Sequence, residues 1–366
     1  MVLTKLLKFT GYKGRRIKRM YIGRDRVIVF SLAILAGVAA ISWKILYLKF
    51  GYYRYGYIGD LLVHPEYLDE YFAPLIGRLE YPVLIGVLIM LFALVANSLT
   101  GFFIAISTSA IVILMLIAYI LMKDDAKAED ILKFLILAPS TIAYLNYNWD
   151  IFASMTVVLA VFLLNIGREE ESSFVLGIGA SIKVFPALLM PLILIKSKRK
   201  IRVATSFIAS YLSINIPLMI MNFDGWWFPF KFNIDRPPNT DSFWYIVMNK
   251  TGVSPIILNV LMGVTYFLTL VHFLRKNLMN IYAHSFYLLS IFIFFGKVYS
   301  PQYNLWILPL LPKVKEKNYL GFIVFDVCNS IIGFLFWFLY EHIQLMYLIV
   351  AIRQTAFAYI ILRGIK

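Results

Sequence analysis

The stretch from Lys49 to Pro82 carries the residues that could most readily do chemistry. It is the first long segment that is too polar to cross a bilayer, although the chain around it is strongly apolar. Carboxylates held beside a membrane can accept a proton from a hydroxyl, so this stretch predicts a reaction at the lipid–water boundary. Its acidic and histidine side chains, set among tyrosines, are Asp60, His64, Glu66, Asp69, Glu70 and Glu80.

Three of the acidic residues also have a purely structural interpretation. Asp60 follows Gly59 and could cap a helix, as Asp commonly does before an apolar turn. Glu80 precedes Tyr81-Pro82 and could be a first-turn carboxylate that the helix dipole favours. Asp150, in Asn148-Trp-Asp150, could cap the apolar run that follows it. His64 is more readily a loop histidine than a base or a ligand.

Lys183 is the clearest candidate inside an apolar run. The sequence Ile182-Lys-Val-Phe-Pro-Ala187 interrupts a helical pattern where a proline frees backbone groups. A charged residue within a span costs ~2.5–3.5 kcal/mol on insertion scales, which makes it a functional hypothesis by default. The alternative is a lysine whose amine reaches the membrane interface.

The segment 222–254 is rich in aromatic residues and contains an arginine. Trp226, Trp227 and Trp244 are typical of an interfacial belt, and aromatic faces also stack on sugars. The guanidinium of Arg236 suits phosphate geometry. Further polar and aromatic candidates at the ends of apolar runs are Asn148, Trp149, Asn233, Lys297, Tyr299 and Gln302.

The composition is that of a polytopic membrane protein. Of the 366 residues, 61% are hydrophobic and 15% are charged, and the mean hydropathy is +0.78. Backbone groups in a bilayer must be satisfied internally and the apolar runs are too long for barrel strands, so the spans should be helices. The single Cys328 provides no disulfide framework. The net charge is +15, and the basic residues that produce it lie at the ends of apolar runs. This distribution argues against a nucleic-acid partner.

The distribution of basic residues predicts the orientation. The preferred topology places 24 of the 35 Lys and Arg residues inside, 7 outside and 4 within spans. It has a cytoplasmic N-terminus and about twelve helical crossings, and the candidate residues face outside a plasma membrane if the source is prokaryotic. The predicted spans are 27–48, 101–122, 131–146, 150–166, a broken 174–195, 203–221, 255–274, 281–296, 303–312, 320–340 and 343–362.

The run 83–122 is the main ambiguity. Two spans there would move the basic segment 196–202 outside, so residues 82–98 are interpreted as an interfacial helix after the first outer loop. We expect a single integral-membrane domain over residues 1–366. Its catalytic core would be 27–254, with outer loops 49–82 and 222–254, and 255–366 would add C-terminal spans.

Several short motifs together resemble glycosyltransferase family 87, whose members have the GT-C fold and include many polyprenol-phosphate-mannose-dependent mannosyltransferases. The resemblance covers about residues 55–310. The motifs are Glu80-Tyr-Pro-Val-Leu-Ile-Gly86, Asn148-Trp-Asp150, the run Gly177–Pro191, Asp224-Gly-Trp226, Phe232-Asn-Ile-Asp-Arg236, Ser242-Phe-Trp-Tyr245 and Lys297-Val-Tyr-Ser-Pro-Gln-Tyr303.

The resemblance implies the transfer, with inversion, of a hexose such as mannose from a polyprenyl-phosphate donor to an outward-facing glycan or glycolipid. Asp60 matches the position of the family's catalytic aspartate and would take the acceptor proton. Lys183, Arg236 and Lys297 would stabilise the departing phosphate. Glu80 and Asp150 would orient the base, bind acceptor hydroxyls or hold a divalent cation, and these alternatives stay open. Substrate contacts would come from Asn148, Trp149, Asn233, Trp244, Tyr299 and Gln302.

A multispanning transporter or lipid flippase is the main alternative from another class, because discontinuous helices are typical of transporters. The broken segment 174–195 would then be its gate. In the predicted topology the break lies closer to the outer face than to the midplane, and the chain has no convincing inverted repeat. Both observations favour the transferase.

Overall fold

The computed structural model describes residues 23–49, 79–96, 98–274, 280–314 and 318–365, and these residues form helices and connecting turns without a strand. The first half of the described chain contains, in order, α1 (Arg24–Lys49), α2 (Val83–Val95), α3 (Leu99–Lys123), α4 (Ala128–Ile131), α5 (Pro139–Tyr144), α6 (Asp150–Asn165) and α7 (Glu169–Ile182).

The second half of the described chain contains more interrupted elements. They are a 3-10 turn (Phe185–Leu189), α8 (Met190–Lys196), α9 (Lys200–Met221), α10 (Phe223–Asp235), α11 (Phe243–Thr251), α12 (Pro255–Leu274), α13 (Ile281–Phe295), a 3-10 turn (Pro301–Tyr303), α14 (Asn304–Ile307), a 3-10 segment (Leu308–Lys313), α15 (Tyr319–Phe334), α16 (Phe336–Glu341) and α17 (Ile343–Ile365).

Five helices in the described part of the chain are long and apolar enough to cross a membrane. They cover Arg24–Leu46, Thr100–Lys123, Lys200–Met221, Pro255–Phe273 and Ile343–Arg363. Five shorter apolar helices accompany them, so these helices do not confirm the expected count of about twelve crossings. With 13 residues, α2 is ~20 Å long, which is short against a hydrocarbon core of ~30 Å.

Two predicted spans are interrupted instead of continuous. The expected span 131–146 is divided into α4, a π-helical turn over Leu132–Ile136 and α5, which begins at Pro139. The expected span 303–312 consists of α14 and 3-10 turns, and Pro309 and Pro312 lie in the second of these turns. Proline removes a backbone donor and clashes with the preceding turn, which explains why a regular helix does not form there.

The break predicted near Lys183 is present. Helix α7 ends at Ile182, and Lys183 adopts an extended conformation with φ −145° and ψ 148°. The 3-10 turn with Pro186 follows, and α8 begins beside Pro191. The helix is therefore interrupted at Lys183.

The segment 222–254, predicted as a long loop, is mostly helical. The side chain of Asn222 accepts a hydrogen bond from the Gly225 amide and begins α10, and Ser242 caps α11 in the same way. Gly252 ends α11 with a left-handed φ of +69°, which glycine adopts without strain. Capping residues thus divide the aromatic segment into two helices.

Helix α7 packs between α6 and α9 at the centre of the N-terminal half. Its approach to α9 depends on Gly177, because a Cβ there would lie 1.9 Å from Oγ of Ser210 and 2.6 Å from the carbonyl oxygen of Phe207. In the C-terminal half, α15 packs on α17, and both contribute to the main apolar core. The positions of α6, α7 and the 297–304 turn therefore follow from helix packing around them.

Candidate functional site

A cavity of about 800 Å³ lies where the break after α7, the helix α10 and the turn after α13 meet. This volume is within the range of small-molecule sites, roughly 300–1,000 Å³. Of the residues predicted from the sequence, the cavity wall contains Glu80, Asn148, Lys183, Asn233, Arg236, Lys297 and Gln302. Segments separated by more than two hundred positions therefore contribute to one wall.

Three basic side chains line this cavity: Lys183, Arg236 and Lys297. Lys183 and Lys297 are buried, and Arg236 is half-buried. Among the described residues that line the cavity, Glu80 is the one carboxylate. The wall is thus electropositive, which suits an anionic group.

Lys183 is held by a buried ion pair. Its Nζ donates a hydrogen bond to Oδ1 of Asp150 at 2.8 Å and lies 5.3 Å from the centroid of the Tyr81 ring. Asp150 begins α6, where the helix dipole favours a carboxylate, and it is fully buried. The indole Nε1 of Trp306 donates to the same Oδ1 at 2.6 Å. Asp150 is therefore behind the cavity wall, and its carboxylate orients Lys183.

An aromatic stack continues from this ion pair along the wall. The rings of Phe185 and Trp306 are parallel with centroids 4.0 Å apart, and Tyr303 stacks on the other side of Trp306 at 3.9 Å. All three line the cavity. The indole is fixed on two faces and at its N–H, so it forms a rigid part of the site.

A polar group that precedes α2 also lines the cavity, next to Lys183. Asn148 Nδ2 donates to the hydroxyl of Tyr81 at 2.8 Å, and Oδ1 of Asn148 accepts from the backbone amide of Trp149 at 2.7 Å. Burial and the charge of Glu80 raise the pKa of Tyr81 well above its ordinary value. Tyr81 is therefore a neutral phenol that links Glu80 to Asn148.

Two loops carry Arg236 and Lys297, and they are joined by direct hydrogen bonds. Lys297 Nζ donates to the backbone oxygen of Ile234 at 2.5 Å. Arg236 Nη2 donates to Oδ1 of Asn239 at 2.7 Å, and Asn239 Nδ2 donates to Oγ of Ser300 at 2.6 Å. Burial and the nearby Arg236 charge lower the pKa of Lys297, whereas Asp235 opposes this change.

Several predicted residues are not part of the cavity wall. Trp149 is fully buried, and the indole N–H of Trp244 donates to the backbone oxygen of Phe294 at 3.1 Å. Tyr299 is buried, and its hydroxyl donates to Oδ1 of Asn304 at 2.7 Å. These three side chains support the site from behind. Asp60, predicted as the base, lies outside the described residues.

The sequence-based prediction missed several residues of the wall: Tyr81, Phe185, Asn239, Ser300, Tyr303 and Trp306. Tyr81, Phe185 and Tyr303 lie inside the motifs singled out above, so their positions were available as a signal. Trp306 lies in an apolar run that looks like a bilayer span, and only the 3-10 turns around it bring its indole to the site.

Gln302 contributes its side-chain amide to the cavity wall. Its Oε1 is buried and accepts no hydrogen bond within the described part of the chain. A buried polar atom of this kind is costly unless a partner binds it. Gln302 is therefore suited to a hydroxyl donor from a ligand.

Comparison with known proteins agrees with this geometry. The family model described as glycosyltransferase family 87 matches residues 79–275, which is more than half of the chain. The match begins beside Glu80 and includes Asn148, Asp150, Lys183 and Arg236. No curated protein and no solved structure matches the chain. The chain belongs to glycosyltransferase family 87, and it is a membrane glycosyltransferase that acts on a sugar donor and an acceptor.

Proposed function

We propose that this protein transfers a hexose, such as mannose, from a polyprenyl-phosphate donor to an outward-facing glycan or glycolipid in the plasma membrane. The observation that carries the proposal is the convergence of Lys183, Arg236 and Lys297 on one cavity. A sugar held by a phosphate ester needs positive charge at the phosphate when the bond to the sugar breaks. The architecture proposed is that of a GT-C enzyme with its N-terminus in the cytoplasm.

An apolar flank of the same cavity supports a lipid-linked donor. Leu188, Phe230, Met262, Phe292 and Ile293 line it. Met262 belongs to α12, most of which is not buried inside the protein, so the flank is close to a surface that lipid would cover. A donor with a phosphate head and an isoprenoid tail matches a basic wall next to an apolar one.

The proposed reaction is a single displacement. The acceptor hydroxyl oxygen forms a bond to the anomeric carbon, and the bond from that carbon to the phosphate oxygen breaks with its electron pair. The hydroxyl proton passes to Asp60, and the products are a glycoside of inverted configuration and polyprenyl phosphate. Arg236 and Lys297 would bind the phosphate oxygens, and the ammonium of Lys183, which Asp150 orients, would donate a further hydrogen bond.

The acceptor would contact the polar edge of the cavity. Glu80 and Gln302 offer oxygen atoms to acceptor hydroxyls, and Asn233 lies on the same wall. Glu80 would act as an acceptor contact, as a residue that orients the base or as a ligand of a divalent cation. Aromatic faces of Tyr303 and Trp306 suit the apolar face of a sugar ring.

The test is transfer of radiolabelled hexose from polyprenyl-phosphate hexoses to a membrane glycolipid extract by the purified protein. We expect transfer by the wild type, and none by Asp60→Asn or by the double variant Arg236→Met/Lys297→Met. Lys231→Met is the matched control, because Lys231 is an exposed residue of α10 that does not line the cavity.

Each other outcome has a defined meaning. Equal transfer by Asp60→Asn would contradict its role as base and direct attention to Glu80. A product of retained anomeric configuration, determined by NMR, would contradict the single displacement. No transfer by the wild type from any hexose donor would contradict the proposed donor class and favour a transporter.

A further inference from the structure

A fully buried arginine lies in the last helix, outside the part of the chain that matches the family. Arg353 belongs to α17 and has no exposed surface. A charged side chain within an apolar helix is costly and commonly marks a functional position. The cavity does not include Arg353, so its charge does not contact a ligand there.

The guanidinium of Arg353 contacts the two loops that carry Arg236 and Lys297. Nη2 of Arg353 donates to the backbone oxygen of Asp241 at 2.7 Å, at the end of the loop that carries Arg236. The same guanidinium lies 4.0 Å from the centroid of the Tyr299 ring, two residues after Lys297. The Arg353 side chain therefore contacts the loop that carries Arg236 and the loop that carries Lys297.

A third contact connects Arg353, through Asn329, to the 3-10 turn Pro301–Tyr303. Nη1 of Arg353 donates to Oδ1 of Asn329 at 3.1 Å, and Asn329 Nδ2 donates to the backbone oxygen of Pro301 at 2.8 Å. Ser242 Oγ donates to the backbone oxygen of Lys297 at 3.0 Å, next to the Asp241 contact. The planar guanidinium presents its donors in a fixed fork and also stacks on an aromatic ring, whereas an ammonium group is a compact point charge.

We propose that Arg353 is a positioning residue that holds Arg236 and Lys297 at the spacing required to bind the phosphate of the donor. The inference rests on the proposed function for the identity of the anion. It assigns a role in substrate binding to the C-terminal helix, which the family match does not cover.

The first experiment measures binding of farnesyl phosphate, a short polyprenyl phosphate, by quenching of tryptophan fluorescence in detergent. We expect Arg353→Gln to weaken binding roughly tenfold, a size typical of residues that share one network. Arg363→Gln is the matched control, because Arg363 is an exposed arginine of the same helix whose guanidinium lies over Tyr359.

A double-mutant comparison separates positioning from general damage. In the Arg236→Met/Lys297→Met background, Arg353→Gln should cause no further loss, because the groups that it positions are absent. An equal loss in both backgrounds would overturn the proposal, and so would unchanged affinity of Arg353→Gln in the otherwise wild-type protein.

A second readout is independent of any ligand. Asn239 and Ser300 are in direct contact across the two loops, so Asn239→Cys/Ser300→Cys, in a Cys328→Ser background, should form a disulfide on mild oxidation. We expect Arg353→Gln to slow this reaction and Arg363→Gln to leave it unchanged. If the wild type binds no farnesyl phosphate, the proposed donor fails, whereas the disulfide rate still confirms or overturns the role of Arg353 in positioning.

Discussion

Nζ of Lys183 lies 2.8 Å from Oδ1 of Asp150, and this contact joins the extended residue after α7 to the first turn of α6. The side chain of Asp150 is fully buried, and that of Lys183 is 10% exposed. Such a pair balances two charges that would each be costly alone. The ammonium is therefore kept at the cavity by a partner that a ligand does not reach.

Removing one member of this pair should be more harmful than removing both. Lys183→Met leaves the Asp150 carboxylate buried without its cation, and a loss of about 3–5 kcal/mol in the free energy of unfolding is expected. The double variant Lys183→Met/Asp150→Asn should recover most of this loss. Thermal unfolding in detergent, followed by tryptophan fluorescence, measures the difference.

The exposed pair of Lys133 and Glu129, with 2.5 Å between Nζ and Oε1, provides the control. Lys133→Met should leave the unfolding temperature nearly unchanged, since solvent screens exposed ion pairs. If Lys183→Met were as stable as Lys133→Met, the pair would not have the role described here.

Binding of phosphate should weaken at alkaline pH through Lys297. Burial and the Arg236 charge lower the pKa of Lys297 below its ordinary value of 10.5, so the amine loses its proton at a lower pH than a solvated lysine does. The affinity for farnesyl phosphate should therefore begin to fall at a pH below the ordinary lysine pKa of 10.5. Lys297→Arg keeps its charge and should extend binding to higher pH. Lys231→Arg is the control, and coincident alkaline limbs for the wild type and Lys297→Arg would contradict the prediction.

Asp241 should make the stability of the protein depend on pH in the acidic range. Burial raises its pKa from 3.8 to about 6, although Arg353 and Arg236 lower it in part. The folded state therefore holds this proton more tightly than the unfolded state does. The resulting stabilisation is complete below pH 3.8 and is lost as the pH rises through about 6.

Asp241→Asn removes this dependence, because the amide stays neutral. The stability of Asp241→Asn relative to the wild type should increase by about 2 kcal/mol between pH 4 and pH 7. Unfolding by denaturant at several pH values measures this difference. The same substitution at the exposed Asp224 controls for removing a negative charge from this region. A constant difference between Asp241→Asn and the wild type at all pH values would contradict the assignment.

Two glycines should respond in opposite ways to the same substitution. In Gly177→Ala the added Cβ would meet the Phe207 carbonyl oxygen at 2.6 Å, so α7 and α9 must separate and about 1–3 kcal/mol should be lost. Gly263 in α12 has nothing within 4 Å of an added Cβ, and Gly263→Ala should stabilise the helix by about 0.5–1 kcal/mol. Thermal unfolding of the two variants compares their stabilities. Equal effects on the unfolding temperature would show that the close approach of α7 and α9 is unimportant.

The sequence predicted the helical class, the family and the break at Lys183, because proline, charge and short motifs are local signals. It did not predict that Asn222 and Ser242 divide the segment 222–254 into helices, because Asn and Ser are also typical of turns. It left open whether Asp150 orients the base, binds acceptor hydroxyls or holds a divalent cation, and it did not predict the ion pair of Asp150 with Lys183. That pairing depends on how α6 and α7 pack, which residue spacing does not specify.

The contact between Arg353 and Asp241 also bears on how the protein is made. Its two partners are 112 positions apart, and Arg353 belongs to α17, which follows both loops in the chain. During synthesis, the loops that carry Arg236 and Lys297 emerge from the ribosome before the side chain that supports both of them. The proposed phosphate site would consequently be completed only after α17 has been inserted, and we expect a ribosome-bound chain that lacks this helix to contain Lys183, Arg236 and Lys297 and still be inactive.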